Sequence, residues 1–370
     1  MKVSVIGWEL PPAFSGGLGV HTLNLLNRLS KFIDITLYVP SMKGLSQTYE
    51  FEVIPVPTGI SGLPYSVEGF PDFQEAVHDY NEAVLRIFNP AGVQAVHVHD
   101  WITMEAGIRI KEKFGIPLVV TVHSTEIDRS GNFNPQRRIM DIEKKGIEHA
   151  DTVIVVSGYT KNILVTNYGS DPSKIRVIHN GVARFTYSWN KKDYALTNRV
   201  LYFGRVTSQK GPKFFIESAA KVSEKIPDVS FIIAGNGDQL HEVLNLSKEL
   251  GISDRTVFTG FVNFSKSVLF YRSSDVFVLP AVSEPFGMTV IESMISGTLA
   301  VISKTTGVGE ALRNVMKSDF WDTDLIAEYI ISILKYKSLR KTLGELGQVE
   351  AAGFTWEKSA EETMEVYRSL

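Results

Sequence analysis

Two glutamates eight residues apart, Glu284 and Glu292, lie in Ser283-Glu284-Pro285-Phe286-Gly287-Met288-Thr289-Val290-Ile291-Glu292, directly after the apolar run Val276-Phe277-Val278-Leu279-Pro280. The pattern predicts a buried strand, a short loop and a helix that opens near Pro285. Glu284 then sits in the loop at the helix mouth, and Glu292 faces inward about one and a half turns along. The unpaired backbone N–H groups of a first helical turn suit anionic or polyhydroxyl ligands, and carboxylates accept hydrogen bonds from hydroxyls. The combination fits a sugar and a ribose better than a bare phosphate. A lone pair of this kind is ordinarily a loop glutamate and a solvated helix glutamate, so its weight comes from the rest of the chain.

Cations stand in the second half. In Gly204-Arg205-Val206-Thr207-Ser208-Gln209-Lys210-Gly211, which follows the apolar Val200–Phe203, a diphosphate could rest between the Arg205 fork and the Lys210 ammonium. No Walker lysine pattern occurs, which excludes a phosphate-loop NTPase; taken alone, the pair reads as a solvated basic loop. Ser15-Gly16-Gly17-Leu18-Gly19 precedes a helix expected from His21, where glycines allow close backbone approach and a helix N-terminus favours phosphate. The dinucleotide fingerprint fails there, because Thr22 stands where the third glycine belongs; Ala234-Gly235-Asn236-Gly237-Asp238 fails likewise at Leu240. Neither loop supports NAD binding.

His97-Val98-His99-Asp100-Trp101 and Thr121-Val122-His123-Ser124-Thr125-Glu126 each end an expected strand. Their histidines and acids admit a metal reading, but His97 and His99 alternate to one strand face and no helical His-x-x-x-His pair backs them. Polar contacts from His123 and Asp100 to a ligand are the better reading, with His97 a satisfied structural histidine.

The elements that position these residues alternate. Val3–Ile6, Ile35–Val39, Ala95–His99, Leu118–Val122 and Thr152–Val156 read as strands, with amphipathic stretches such as His21–Phe32 and Trp101–Phe114 between several of them. The pattern restarts with Val200–Phe203, Ser230–Ala234, Thr256–Thr259, Val276–Leu279 and Thr298–Ile302. Ala183–Asn198 reads as a linker, Gly62–Phe73 as a mobile acceptor-side loop or an ordinary surface loop, and Trp356–Leu370 as an amphipathic helix with Ala360, Met364 and Tyr367 on one face. The expectation is an α/β chain of two Rossmann-like, doubly wound parallel-sheet domains facing a cleft, with ligands at the carboxyl ends of the strands. The boundaries are 1–185, 199–354 and a C-terminal helix over 355–370 that crosses back to the first domain.

At 370 residues, two domains are the default. A net charge of −3 gives no electrostatic case for nucleic acid or an anionic membrane surface. The absence of cysteine excludes disulfides, thiolate catalysis and cysteine-ligated zinc. Met1–Gly7 reads as a first strand rather than a signal peptide, and no apolar run approaches the roughly 18 residues of a spanning helix. A soluble, cytoplasmic chain is expected.

In order along the chain come Gly-Gly-Leu-Gly, His-Val-His-Asp-Trp, Thr-Val-His, Val155-Val156-Ser157, Val177-Ile178-His179-Asn180-Gly181-Val182, Gly204-Arg205 with Lys210-Gly211, and the two-glutamate motif. This ordered set resembles the GT-B glycosyltransferases, specifically the retaining family 4 (group 1) that includes glycogen and starch synthases and sucrose synthase. The resemblance covers essentially the whole chain. It implies that Arg205 and Lys210 neutralise a diphosphate leaving group, that the Gly17-Leu18 loop approaches the distal phosphate, and that Glu292 holds the ribose. It implies that Glu284 and the amides of Phe286, Gly287 and Met288 hold the donor sugar, with His123 by the ring and Asp100 near the reacting face. Transfer of glucose from ADP-glucose or UDP-glucose to a growing α-1,4-glucan, with retention and with neither cofactor nor metal, is the leading expectation. The chain departs from the family at Ser303-Lys304-Thr305-Thr306-Gly307-Val308-Gly309-Glu310, where relatives carry paired glycines; Thr306 and Gly307 are expected to supply phosphate amides instead. The chain is also compact for a glycogen synthase, which leaves other carbohydrate, lipid or small-molecule acceptors open. An epimerase or a non-catalytic nucleotide-sugar binder are the alternatives from other classes.

Overall fold

The computed structural model describes residues 1–12, 16–42, 45, 48–58, 73–131, 133–182 and 198–370, the side chains of 264 and 265 apart. Ser15, the expected linker up to residue 197 and the segment 62–72 lie outside the described residues. The chain divides into two compact units. One comprises Met1–Glu126, Pro135–Gly181 and Trp356–Leu370; the other comprises Ile127–Asn134 and Val182–Thr355.

The first unit holds a parallel sheet of β1 (Lys2–Ile6), β2 (Asp34–Pro40), β3 (Glu52–Val56), β4 (Ala95–His99), β5 (Leu118–Val122), β6 (Thr152–Val155) and β7 (Ile175–Val177), in the order β3-β2-β1-β4-β5-β6-β7. Its helices include α1 (Gly17–Leu29), α2 (Phe73–Ile87), α3 (Trp101–Phe114), α4 (Glu126–Arg129, whose last three residues belong to the second unit), α5 (Arg137–His149) and α6 (Gly158–Tyr168). Every residue of β4 and β5 is buried. Helices cover both faces of a parallel sheet, so β5 reads as a nearly continuous apolar run, while β4 buries His97 and His99 between its apolar residues.

The second unit repeats the plan. β8 (Arg199–Phe203), α7 (Pro212–Lys225), β9 (Ser230–Ala234), α8 (Leu240–Glu249), β10 (Thr256–Gly260), α9 (Phe264–Arg272), β11 (Val276–Leu279), α10 (Met288–Ile295), β12 (Leu299–Ser303) and β13 (Met316–Ser318) are followed by α11 (Thr323–Lys335) and α12 (Lys337–Ala351). The strand order is β10-β9-β8-β11-β12-β13. Phe215, Ile216 and Val222 of α7 and Ile326, Ile330 and Ile333 of α11 share one buried cluster with Val200, Tyr202, Phe231, Val276 and Val278 of the sheet. In both sheets the strand order reverses beside the first strand, between β1 and β4 and between β8 and β11, and crevices at the carboxyl ends of such strands are where open α/β sheets take ligands.

The final helix, α13 (Trp356–Arg368), counts with the first unit. Trp356, Ala360, Met364 and Tyr367 are buried, and Glu357 pairs with Arg28 of α1 at 3.2 Å. Large apolar side chains buried in this way contribute roughly 1.5–3 kcal/mol apiece, enough to hold a terminal helix in place.

The departures from the sequence reading have local causes. β3 is half-exposed and carries Pro55, while β7 and β13 have three residues each, so none presents a buried run. Helix α1 begins at Gly17 rather than His21, because the Glu9 carboxylate accepts hydrogen bonds from Gly16 N–H (2.7 Å) and Gly19 N–H (2.8 Å) and so holds the first turn. Helix α10 opens at Met288 rather than near Pro285, because Gly287 has φ +104°, a left-handed conformation outside the helix. Among the described residues no helix is long and apolar enough to cross a membrane.

Candidate active site

In the second unit the loops after β8, β11 and β12 are stitched into one body. Gln209 O accepts from Val282 N–H at 2.9 Å and Ser283 N–H at 3.3 Å, joining the first two. Glu284 N–H donates to Thr305 O (3.0 Å), Gly307 N–H donates to Glu284 O (2.8 Å), and Val308 N–H donates to Phe286 O (2.7 Å), joining the last two. The backbone of Glu284 is therefore fixed from both sides.

Its carboxylate meets Lys210. Lys210 Nζ donates to Glu284 Oε2 at 2.6 Å, and the side chains are only 13% and 12% exposed. The pair bridges the loops that follow β8 and β11, the two strands at the order reversal. Arg205 stands beside it, its Nη2 donating to Gln209 Oε1 at 3.0 Å, while Tyr202 OH donates to Arg205 O at 2.7 Å. Two cations and a carboxylate thus share one loop cluster, in which backbone hydrogen bonds join the loops and the Glu284 and Gln209 side chains hold the cations.

Gly211 ends the turn that carries Lys210. Its φ is +63°, and a Cβ there would lie 2.0 Å from Pro280 O, a backbone atom. Gly211→Ala is expected to destabilise the protein by on the order of 3 kcal/mol, combining left-handed strain with overpacking. Chemical denaturation measures this; an unchanged midpoint would show that the turn relaxes freely.

Glu292 lies on the fifth position of α10 and is 6% exposed. Its Oε2 accepts from Tyr271 OH of α9 at 2.8 Å. Burial pushes its carboxyl up from 4.5 to about 7, against the opposing effect of the tyrosine hydrogen bond. The N–H groups of Gly287 and Met288 precede the first backbone hydrogen bond of the helix, from Val290 N–H to Gly287 O at 3.0 Å, and Phe286 leads into them.

The expectation for Thr306 and Gly307 is corrected. Thr306 N–H donates to Ser303 O (3.1 Å) and Gly307 N–H to Glu284 O, so both amides are taken by backbone carbonyls and neither is offered to a phosphate. This loop positions Glu284 instead.

The first unit gathers the histidines. His97 Nδ1 lies 2.6 Å from Tyr367 OH and its Nε2 lies 2.6 Å from Thr121 Oγ1, so it is satisfied at both nitrogens. His99 stacks on His97 with ring centres 4.4 Å apart, and its Nδ1 lies 3.0 Å from His123 Nε2. His21, on α1, donates from Nδ1 to Asn180 Oδ1 at 2.8 Å, and its ring stands 4.4 Å from that of His123. Burial is the first cause that lowers all four: His21 to about 4, His97 to about 3, and His99 and His123 well below 6.5, with neighbouring histidines adding to the shift for the last three. At neutral pH these imidazoles are uncharged.

Asp100 is buried, and its Oδ1 accepts from His123 N–H at 2.6 Å and from Ser124 N–H at 3.3 Å. It fastens the loop that carries His123, and it does so at φ 56°, ψ 174°, a conformation costly for any side chain. Glu126 accepts from Gln136 N–H at 3.1 Å. Neither acid joins the histidines: the group with ligand atoms mutually within 4.8 Å is His21, His99 and His123. Gly17 and Leu18 begin α1, and a Cβ on Gly17 would meet nothing within 4 Å.

Gln209, Tyr271, His21 and Asn180 escape the sequence reading. His21 follows Gly17 by four helical residues, and Asn180 stands in the quoted Val-Ile-His-Asn-Gly-Val segment, so position alone hinted at both. Nothing in the spacing pointed to Gln209 or Tyr271.

Comparison with known proteins gives these clusters a context. Residues 15–184 match the family model described as Glycosyltransferase Family 4, and residues 186–349 match the model for glycosyl transferases group 1. The alpha-maltose-1-phosphate synthase of Mycolicibacterium smegmatis is 27% identical over 408 residues, covering 100% of both chains. Among solved structures, sucrose-phosphate synthase from Thermosynechococcus elongatus superposes with a TM-score of 0.84 at 21% identity, covering 100% of this chain and 98% of that one. Anabaena HepE in complex with UDP-glucose superposes with a TM-score of 0.81 at 18% identity over 100% of both chains. Two family models that together span nearly the whole sequence, on a chain folded into two parallel α/β units, identify it: this protein belongs to the group 1 glycosyltransferases of family 4 and has the GT-B fold.

Proposed function

We propose that this glycosyltransferase moves glucose from a nucleotide diphosphate glucose to the end of an α-1,4-glucan, with retention of configuration and without a metal ion. The observation that carries the reading is the Lys210–Glu284 pair at 2.6 Å, nearly buried, with Arg205 alongside at the order reversal of the second sheet. When a nucleotide diphosphate departs, negative charge develops on its phosphates and an oxocarbenium-like centre is left on the sugar. Lys210 and Arg205 stabilise the first change, and Glu284 receives hydroxyls of the sugar. Two fixed cations supply the role that a divalent ion plays elsewhere.

Glu292 takes the ribose hydroxyls, whose donation favours its ionised form. A retaining double displacement needs a nucleophilic carboxylate about 5 Å from an acid. Front-face attack, in which the leaving phosphate takes the acceptor proton, needs no such nucleophile and is the reading we adopt. The glucan acceptor draws support from a relative named glycogen synthase in Mycobacterium tuberculosis, 24% identical over 85% of this chain and 80% of that one.

The test is nucleotide diphosphate release from ADP-glucose and from UDP-glucose in EDTA, with and without maltooligosaccharide or glycogen. Glucan-dependent release with lengthened chains is the expected result. Release that EDTA abolishes would refute metal independence, and turnover with non-glucan acceptors alone would move the acceptor elsewhere. Product formation with no acceptor would indicate an epimerase.

A further inference from the structure

We infer that Asp128 is a positioning residue for the transfer reaction: through Ser283 it fixes the backbone from which Glu284 presents its carboxylate to the donor sugar. The inference rests on the role proposed above for Glu284. Asp128 lies on α4, within the stretch Ile127–Asn134 that counts with the second unit although the chain on either side of it belongs to the first. Asp128 is 0% exposed, and its Oδ1 accepts from Ser283 Oγ at 2.5 Å. Ser283 is itself buried and directly precedes Glu284.

A carboxylate taken wholly out of water is costly unless its hydrogen bonds are made, and a hydroxyl donating to a carboxylate over about 2.5–2.7 Å is among the stronger bonds a protein forms. The loop it grips has one slack point. Glu284 N–H, Gly307 N–H and Val308 N–H make bonds of 3.0, 2.8 and 2.7 Å that tie Glu284 and Phe286 to the loop after β12. Just before Glu284, Ser283 N–H reaches Gln209 O only at 3.3 Å, the longest bond of this set. The hydroxyl bond to Asp128 secures that residue.

A second contact sets the same stretch against the loop. Gly131 closes the turn after Asp128 with φ +60°, its N–H donating to Asp128 O at 3.1 Å. A Cβ built on Gly131 would lie 3.8 Å from Val282 Cγ1. Position matters here because a displacement of about 1 Å in a group aligned to the reacting centre can cost on the order of 10²-fold in rate. Arg205 and Lys210 stand on the other loop, after β8, so their grip on a diphosphate does not run through Asp128.

Asp128→Ala/Ser283→Ala tests this, because it leaves neither partner of the bond stranded. Its kcat with UDP-glucose or ADP-glucose is expected to fall about 10–100-fold. Its calorimetric affinity for free UDP or ADP, which lack the sugar that Glu284 meets, should be unchanged. Each single alanine variant should be about as slow as the double, since all three remove the same bond. Asp128→Asn keeps an acceptor for the hydroxyl and should recover most of the rate. Asp322→Ala is the structural control: Asp322 caps α11 by accepting from Leu325 N–H at 3.0 Å, so its loss should lower stability and leave kcat alone. Wild-type turnover in the folded double variant, or a loss of diphosphate affinity as large as the loss of rate, would overturn the inference. Glu284→Gln, run beside it, keeps the two ideas apart. A slow Glu284→Gln with a fast Asp128→Ala/Ser283→Ala removes Asp128 alone, whereas a fast Glu284→Gln removes the role of Glu284 as well.

Discussion

Lys210→Ala is expected to lower turnover by about 10²–10³-fold, the size of effect seen when a preorganised donor to developing negative charge is removed. The loss should appear in kcat more than in KM, because the demand for positive charge grows as the diphosphate departs. The structure adds a complication that also makes the test sharper. Lys210 is held by Glu284 at 2.6 Å, with both side chains nearly out of solvent. Removing the lysine strands a carboxylate, and breaking a buried pair from one side costs about 3–5 kcal/mol. Lost activity in the single variant could then reflect lost folded protein. Assaying Lys210→Ala at a temperature where it stays folded separates the two without touching a second site residue: stability is then restored while turnover should stay low. Steady-state kinetics beside denaturation curves decide the matter. Turnover that returns with stability would remove Lys210 from the chemistry.

Much of this arrangement is legible before any coordinates. β5, β8, β9 and β11 announce themselves because a parallel strand buried on both faces is a short, mainly apolar run. Glu284, Arg205 and Lys210 announce themselves because each follows such a run, where strand ends meet ligands. What spacing does not carry is who meets whom. Lys210 and Glu284 are 74 residues apart, and they pair only because β11 lies next to β8 rather than next to β10. His21 joins His99 and His123 for the same reason, since β1 is placed beside β4. Amides are invisible in another way. A sequence offers the N–H groups of Thr306 and Gly307 as phosphate donors, but only the fold reveals that Ser303 O and Glu284 O already accept them. Glu9 is the counterpart at α1, a carboxylate that takes two of the glycine-loop amides and was unreadable as their partner.

Glu292→Gln should stabilise the protein above neutral pH and at the same time weaken donor binding. Burial holds the native carboxyl at about 7, against an ordinary value of 4.5. Between those two values the native state keeps a proton that the unfolded chain has lost. Stability on this account is complete below about pH 4.5, falls as pH rises through 7, and is level beyond, with a total loss of about 3 kcal/mol. Glutamine is neutral throughout and still accepts from Tyr271 OH, so the variant should match the wild type near pH 4 and exceed it by up to that amount at pH 8. Unfolding midpoints across that range measure the difference, and curves that stay parallel would mean the carboxyl is not held protonated. The cost of the charge is what the proposed ribose contact would offset. Hydroxyls donating to Glu292 favour its ionised form, so donor binding near pH 7 should expel a fraction of a proton, measurable by calorimetry in buffers of different ionisation enthalpy. Glutamine should abolish that release and weaken donor binding about tenfold or more, since bonds to an ionised acceptor are worth roughly 1.5–3 kcal/mol. A variant that gains stability without losing affinity would leave Glu292 a buried acid of the α9–α10 packing and send the ribose to another acceptor.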